Sequence, residues 1–442
     1  MVYLRSLVFL IAGLATTLHA KSSTGDSVLV VVEPNQQDNY SLFFNGLKEQ
    51  GYDLTFRAPK AETPVVIEYD VANFAHVILL APETKVFAKD ITPQSLVDLL
   101  GKKTNLIVAL SPKQTPLSSL AAEFSLTLPP PGTPLLSYFP EREEPASVIP
   151  VPVPASHSIL SSNLPPVWFS GAPHSLGNNP LIVPILRAPA ASFASETDGG
   201  SPDALVDAAE RGGEGLWAGS QLGLVTGFQT LDGSRITWLG GAAILSDEFA
   251  TKEVSKGVPS GNLQFARDVA KWTFQEAHVL RIDRTTHHLV NTTEPLELYT
   301  TNDQIVYTAY ISKYDSVSSS WVPYSGIKDL QLEFTMLDPH IRTALLPVSN
   351  EPGKYLVTFR APDRHGVFKF LINYKRKGLS FLESSTTVAV VPPRHDGYPR
   401  FLSAAWPYYT GAISTSVAFF LFSALWLAGD SREKRAKGHK AE

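Results

Sequence analysis

From Phe401 to Gly429 the chain reads FLSAAWPYYTGAISTSVAFFLFSALWLAG without one Asp, Glu, Lys or Arg, and charge resumes at Asp430. A bilayer core of roughly 30 Å is crossed by about 20 apolar residues at helical rise, so this stretch is long enough to span. Trp406, Tyr408 and Tyr409 at one end and Trp426 near the other are placed as interfacial rings. Arg432, Lys434, Arg435, Lys437 and Lys440 follow. By the positive-inside rule they assign a tail (429–442) to the cytoplasm, and everything before the span (403–428) to the other side. A core helix of a soluble protein is rarely this long without a charge. Within the span Gly411 and Thr415, and Ala412 and Ser416, share a face four residues apart, on which a second helix can pack closely.

The other end agrees with that topology. Arg5 precedes an apolar run from Leu7 to Ala15, and Leu18-His19-Ala20 can carry a cleavage site, so residues 1–20 are expected to be a secretory signal. The chain contains no cysteine. An exported protein then relies on packed cores instead of disulfides, and neither thiol catalysis nor a Cys-ligated metal is possible. A net charge of −5, with no basic stripe, excludes nucleic acid as the expected partner.

Residues 21–128 alternate strand and helix signals. SVLVVVE from Ser27 and FAHVILLA from Phe74 read as buried strands, as do Asp53 to Arg57 and Asn105 to Leu110; Tyr40 to Gly51 and Pro93 to Leu100 read as helices. That order predicts an α/β fold with a parallel, Rossmann-like N-terminal domain. Its first turn, Glu33-Pro34-Asn35-Gln36-Gln37, has no glycine, so the motif that brings backbone to a pyrophosphate is missing. Between Pro129 and Pro166 stand 11 prolines, and residues 129–180 are expected to form an extended connector. Residues 181–280, with glycine-spaced β-prone runs and an amphipathic helix from Asn262, predict a second α/β unit packed on the first. Trp217, Trp238 and Trp272 can stack on sugar rings, although their apolar setting favours a place in the core.

Residues 281–395 lose helical periodicity and predict an antiparallel β-sandwich. His287-His288 is expected as an exposed strand or loop pair, since no partner ligand is nearby. Asn39-Tyr40-Ser41 and Asn291-Thr292-Thr293 are acceptor triplets for N-glycosylation. No nucleophile elbow, His-Glu-x-x-His, phosphate loop or Asp-x-Asp pair is present, so the chain is expected to be non-catalytic, without cofactor or metal.

GFQTLDGSRITWLGG, GNLQFARDVAKWTFQEAHVLR, YLVTFRAPDRHGVFKFLINYKRKG and RHDGYPRFLSAAWPYY, with the opening SVLVVVE, resemble the single-span 48-kDa subunit family of oligosaccharyltransferase, in its fungal form. The resemblance runs from about Ser27 to the end of the span. It implies a place in the endoplasmic reticulum complex that moves a preassembled glycan from dolichyl diphosphate to asparagine in nascent chains. It also implies that catalysis belongs to a separate many-spanning subunit, that this chain is an accessory scaffold which can help receive the glycan donor, and that its neighbours are a ribophorin II-type and a small defender-against-death-type subunit. Some family members end in a dilysine retrieval signal; here Lys440 fits, while His439 and Gly438 do not.

Two other classes stay open on sequence alone. A single-span surface adhesion or receptor protein fits the topology, though such proteins more often carry disulfides. An independent lumenal enzyme would use the α/β domain, without support from any motif.

Overall fold

The computed structural model describes residues 21–154, 157–195, 217–397 and 403–438, with side chains described through residue 429. The expected signal (1–20) and Lys440 lie outside the described residues. Strand β1 (Ser27–Val31) shows why its sequence is continuously apolar. Val28 and Val30 face one core while Leu29 and Val31 face another, all at 0 % exposure, because a parallel strand in mid-sheet is covered on both sides.

Eight more strands complete that sheet: β2 (Asp53–Arg57), β3 (His76–Leu79), β4 (Asn105–Ala109), β5 (Leu126–Thr127), β6 (His174–Leu176), β7 (Ile182–Arg187), β8 (Leu222–Gln229) and β9 (Arg235–Leu239). Their order is β2-β1-β3-β4-β9-β8-β6-β5, with β7 also on β8. The first five run parallel, and β8 turns the direction. Helices α1 (Ser41–Glu49) and α4 (Asn262–Thr273) supply Phe43, Leu47, Phe265 and Trp272 to one face. Helices α2 (Pro93–Gly101) and α3 (Pro116–Glu123) supply Leu96, Leu99, Leu117 and Leu120 to the other. Both of the latter open on Thr-Pro-x-Ser. In α2 the Thr92 hydroxyl accepts from the Ser95 amide at 3.1 Å and the Thr92 amide donates to the Ser95 hydroxyl at 2.7 Å, closing a reciprocal cap with proline in the first turn.

The α/β stretch expected to pack on the first domain joins it edge to edge. β9 lies beside β4 in register from Ile236↔Leu106 to Leu239↔Ala109. All five β4 residues are buried, and an uncovered edge there would leave its amides and carbonyls without partners. The 129–180 stretch is also more than a connector. Ile149–Val151 pairs with Val167–Phe169, and Leu135, Ile149, Val151, Val167 and Phe169 join the core. Ile149 and Val151 are buried while Pro150 between them is partly exposed, and Pro150 stands opposite Trp168, whose amide bonds Asn262 Oδ1 and not the paired strand, so the missing donor costs no ladder bond.

The β-sandwich begins with β10 (Leu280–Leu289). One sheet is β10-β12-β17-β16, with β13 on β12, built from β12 (Gln304–Asp315), β13 (Ser320–Pro323), β16 (Leu346–Pro347) and β17 (Lys354–Arg360). The other is β11-β19-β18-β14-β15, from β11 (Leu298–Thr300), β14 (Gln331–Thr335), β15 (Pro339–Ala344), β18 (Gly366–Tyr374) and β19 (Leu382–Val391). Pairing is antiparallel except where β11 lies parallel to β19. Phe334 and Phe368 stack at 4.7 Å in the core between the sheets. His287-His288 lies on β10 as a strand pair, but His287 is not exposed. Its ring is buried against Phe370, and Nδ1 bonds the Tyr299 hydroxyl at 2.7 Å.

Arg235, on β9, fastens the sandwich to the sheet. Its side chain donates to the carbonyls of Trp272 (2.7 Å), Ala277 (2.9 Å) and His278 (2.8 Å), to Gln229 Oε1 (3.1 Å) and to Ser380 Oγ (3.3 Å). Around it, Gln229 donates to the Leu379 carbonyl at 3.0 Å and Trp272 Nε1 to the Gly378 carbonyl at 3.0 Å. Gly378 to Ser380 belong to the turn between β18 and β19. Burial lowers the guanidinium to about 9, which leaves it protonated at neutral pH. Replacing it as Arg235→Met orphans several buried oxygens, each costly. A loss of about 3 kcal/mol or more is expected, read as a lower denaturation midpoint.

Burial also lowers His76 to about 3, and His174 and His278 to about 4, from an ordinary 6.5. These rings stay neutral when folded, whereas the unfolded chain takes up protons below pH 6.5. Stability is therefore full above pH 6.5 and falls as pH drops toward 4. Chemical denaturation at pH 5 should give a lower midpoint than at pH 7, and His174→Gln should shrink that difference.

Candidate functional site

The carboxyl ends of β1, β3, β4 and β9 open into a cleft of about 710 Å³. It lies where β2 and β3 diverge to either side of β1, the switch point at which open α/β sheets bind ligands. Glu33 and Gln36 reach it from the segment after β1, Glu83, Thr84 and Lys85 from the one after β3, and Ser111 from the one after β4. Tyr40, Lys60, Ser147 and Ser170 complete the polar lining. The first turn bonds itself: the Gln36 amide donates to the Glu33 carbonyl at 2.8 Å and the Asn39 amide to the Gln36 carbonyl at 3.1 Å. Those amides are engaged within the turn and do not cradle an anion.

One wall is a crossing of two backbones. The Ala172 amide donates to the Gly240 carbonyl at 2.8 Å. A Cβ on Gly241 would stand 2.0 Å from the Ser170 oxygen, and one on Gly171, at φ +156°, 2.3 Å from the Gly240 oxygen. Only glycine lets the segments touch. The Gly240-Gly241 pair in TWLGGAAIL therefore builds the cleft wall.

Two carboxylates, Glu33 and Glu83, and two ammonium groups, Lys60 and Lys85, share the cleft with hydroxyls. The Thr84 hydroxyl donates to Glu33 at 3.4 Å, and Lys113 pairs with Glu83 at 2.7 Å. No histidine lines it, and among the described residues no group of three His, Cys, Asp or Glu can hold a metal. These groups offer hydrogen-bond donors and acceptors of both charges to a polar ligand.

None of the site residues singled out from sequence lines this cleft, although Tyr40, the middle residue of the Asn39 triplet, does. Asn39 is exposed in a short 3-10 turn, and the Ser41 hydroxyl of its triplet donates to Asp247 at 2.5 Å. Asn291 is exposed in the turn after β10. Gly411, Ala412, Thr415 and Ser416 are exposed on α5 (Trp406–Gly438), within a 27-residue apolar stretch, Ser403–Gly429, in which no residue is fully buried by this chain. There Thr415 and Ser416 hydroxyls donate to the carbonyls of Gly411 and Ala412 at 2.8 and 2.9 Å, so the face is small and already satisfied. Trp238 and Trp272 are fully buried, whereas Trp217 is half-buried and opens on a groove.

The described residues combine a doubly wound sheet, a β-sandwich and one exposed helix long and apolar enough to cross a membrane. The family models for the OST48 N-terminal domain and the OST48 middle domain match residues 19–276 and 287–430. The dolichyl-diphosphooligosaccharide–protein glycosyltransferase 48 kDa subunit of Danio rerio is 30% identical over 436 residues, covering 95% of both chains. The subunit of that name from Caenorhabditis elegans is 31% identical over 92% of each chain, and that of Arabidopsis thaliana 27% identical over 95% of this chain and 97% of its own. The chain belongs to this 48 kDa subunit family.

The glycine crossing gives a direct test. Gly241→Ala forces a methyl group against the Ser170 oxygen, and a loss of about 1–3 kcal/mol is expected from the strain. Thermal unfolding checks it, with Gly101→Ala as a control, where the backbone is not left-handed and nothing lies within 4 Å.

Proposed function

We propose that this chain is a non-catalytic accessory subunit of oligosaccharyltransferase in the endoplasmic reticulum membrane. It spans once, with its folded domains in the lumen and its basic tail in the cytoplasm. A separate many-spanning subunit performs the transfer, and the ribophorin II-type and small defender-against-death-type subunits are its neighbours. The lumenal part helps to receive the glycan of the dolichyl-linked donor. The observation that carries the scaffold role is the span itself. It is 27 residues long with 0% buried by its own chain, so its small-residue face is free to meet another helix.

Purification of the tagged chain in mild detergent should recover a many-spanning glycosyltransferase, and recovery of the chain alone would remove the proposal. Gly411→Leu should weaken that recovery. The position has nothing within 4 Å in this chain, so a loss would report helix–helix contact and not misfolding. In the same lumenal topology the exposed Asn291 is the better placed of the two acceptor asparagines, because its triplet is free of the Asp247 contact that holds Ser41. Asn291→Gln should abolish an endoglycosidase-sensitive mobility shift.

A further inference from the structure

We infer that the β-sandwich touches the bilayer at one end, through the outer face of β11, β19 and β18 and the turn between β14 and β15, with zwitterionic lipid as the partner. This rests on the single-span reading proposed above and adds a second, peripheral contact with the membrane. The sandwich has two ends. At one, the β18–β19 turn carries Gly378 and Ser380 into the contacts around Arg235 and Trp272. At the other, β19 stops at Val391, and residues 392–402 alone separate it from the apolar stretch Ser403–Gly429. The 10 residues of β19 put about 30 Å between the two ends. A linker of that length reaches about 40 Å at most when extended, and the turn at His395–Gly397 shortens it. The Val391 end is therefore tethered near the point where the chain enters the bilayer.

That end carries apolar side chains which no core uses. Phe368, Val388 and Val390 belong to the sandwich core, so by the period of two Val367, Ala389 and Val391 point outward. Val367 and Leu298 both pair with Ala389, making one row across three strands, in which Val367 is 60% and Leu298 51% exposed. The 336–338 turn stands beside it: a Cβ on Gly366 would come 2.7 Å from the Met336 sulfur. Leu337, at the tip of that turn, is 93% exposed. Grouped at the end nearest the span, these side chains suit the boundary between headgroups and acyl chains, where they leave water while neighbouring charges stay hydrated. Around them Arg360 and Arg364 stand with Asp338, Asp363 and Glu297, all exposed. An anionic surface would call for an excess of lysine and arginine, so the match is to zwitterionic lipid. Asn291 follows β10, in the other sheet, and a glycan there leaves this face open.

The chain has no cysteine, so single-cysteine variants can carry an environment-sensitive fluorophore without competing labels. Leu337→Cys and Val367→Cys are labelled in the full-length chain and reconstituted into phosphatidylcholine nanodiscs, with Lys377→Cys, in the exposed turn at the opposite end, as reference. Both test positions are exposed, so the replacements leave the core intact. The two test labels should emit at shorter wavelength than the reference, be quenched more strongly by spin-labelled phosphatidylcholine in the disc, and resist iodide in the water. Equal responses at the test and reference positions would overturn the inference. So would protection from iodide without quenching by lipid, which marks cover by protein such as a second copy of the chain. Incorporation itself separates the two readings. If the chain enters the discs and resists alkaline extraction while the test labels stay in water, the span stands and only this contact is lost; if the chain does not enter them, both fall.

Discussion

The structure turns on a buried cation held by neutral oxygens. Arg235 reaches three main-chain carbonyls and two side-chain oxygens from β8, the end of α4, the segment between α4 and β10, and the β18–β19 turn. None of its described hydrogen-bond partners is a carboxylate. A guanidinium taken out of water needs all of its donors occupied, and here the acceptors come from segments far apart in the chain, which Gln229 and Trp272 also tie to the turn. The sandwich is thereby oriented on the sheet by geometry that a lysine, with a single terminal nitrogen, could not reproduce.

Legibility from sequence followed the range of the interactions. β1, β3 and β4 were readable because strands buried on both faces are continuously apolar, and the span because length and charge suffice. The pairing of β9 with β4 was not readable. Ile236 and Leu106 carry no local mark of each other, so an edge-to-edge continuation looked like a separate packed unit. Proline density between 129 and 180 suggested an extended crossing, and the alternating valines that bury it were outweighed. His287 was misjudged as exposed because its environment is made by Tyr299 and Phe370, distant in sequence.

The cleft was half visible. A first turn without glycine already argued against a dinucleotide, and the structure adds that its amides bond internally. The lining itself comes from the ends of four strands and from the proline-rich stretch, an assembly no short motif encodes. The Gly240-Gly241 pair was a usable signal: two adjacent glycines after a fully buried strand mark a close backbone approach as readily as a turn. Trp217 separates from Trp238 and Trp272 only by its exposure on the groove.

The β4–β9 pairing has a consequence for how the protein is made. During synthesis from the amino end, Leu106 must wait for Ile236, 130 positions later, before its strand gains a neighbour on that side. Until then the half-built sheet presents an apolar, unpaired edge, a form prone to wrong association. Arg235 is the first residue of the strand that closes the edge, and the sandwich it anchors follows it in the chain. By order of emergence the last strand of the sheet comes first, the acceptors Trp272, Ala277 and His278 follow, the sandwich turn then brings Ser380, and the apolar helix comes last.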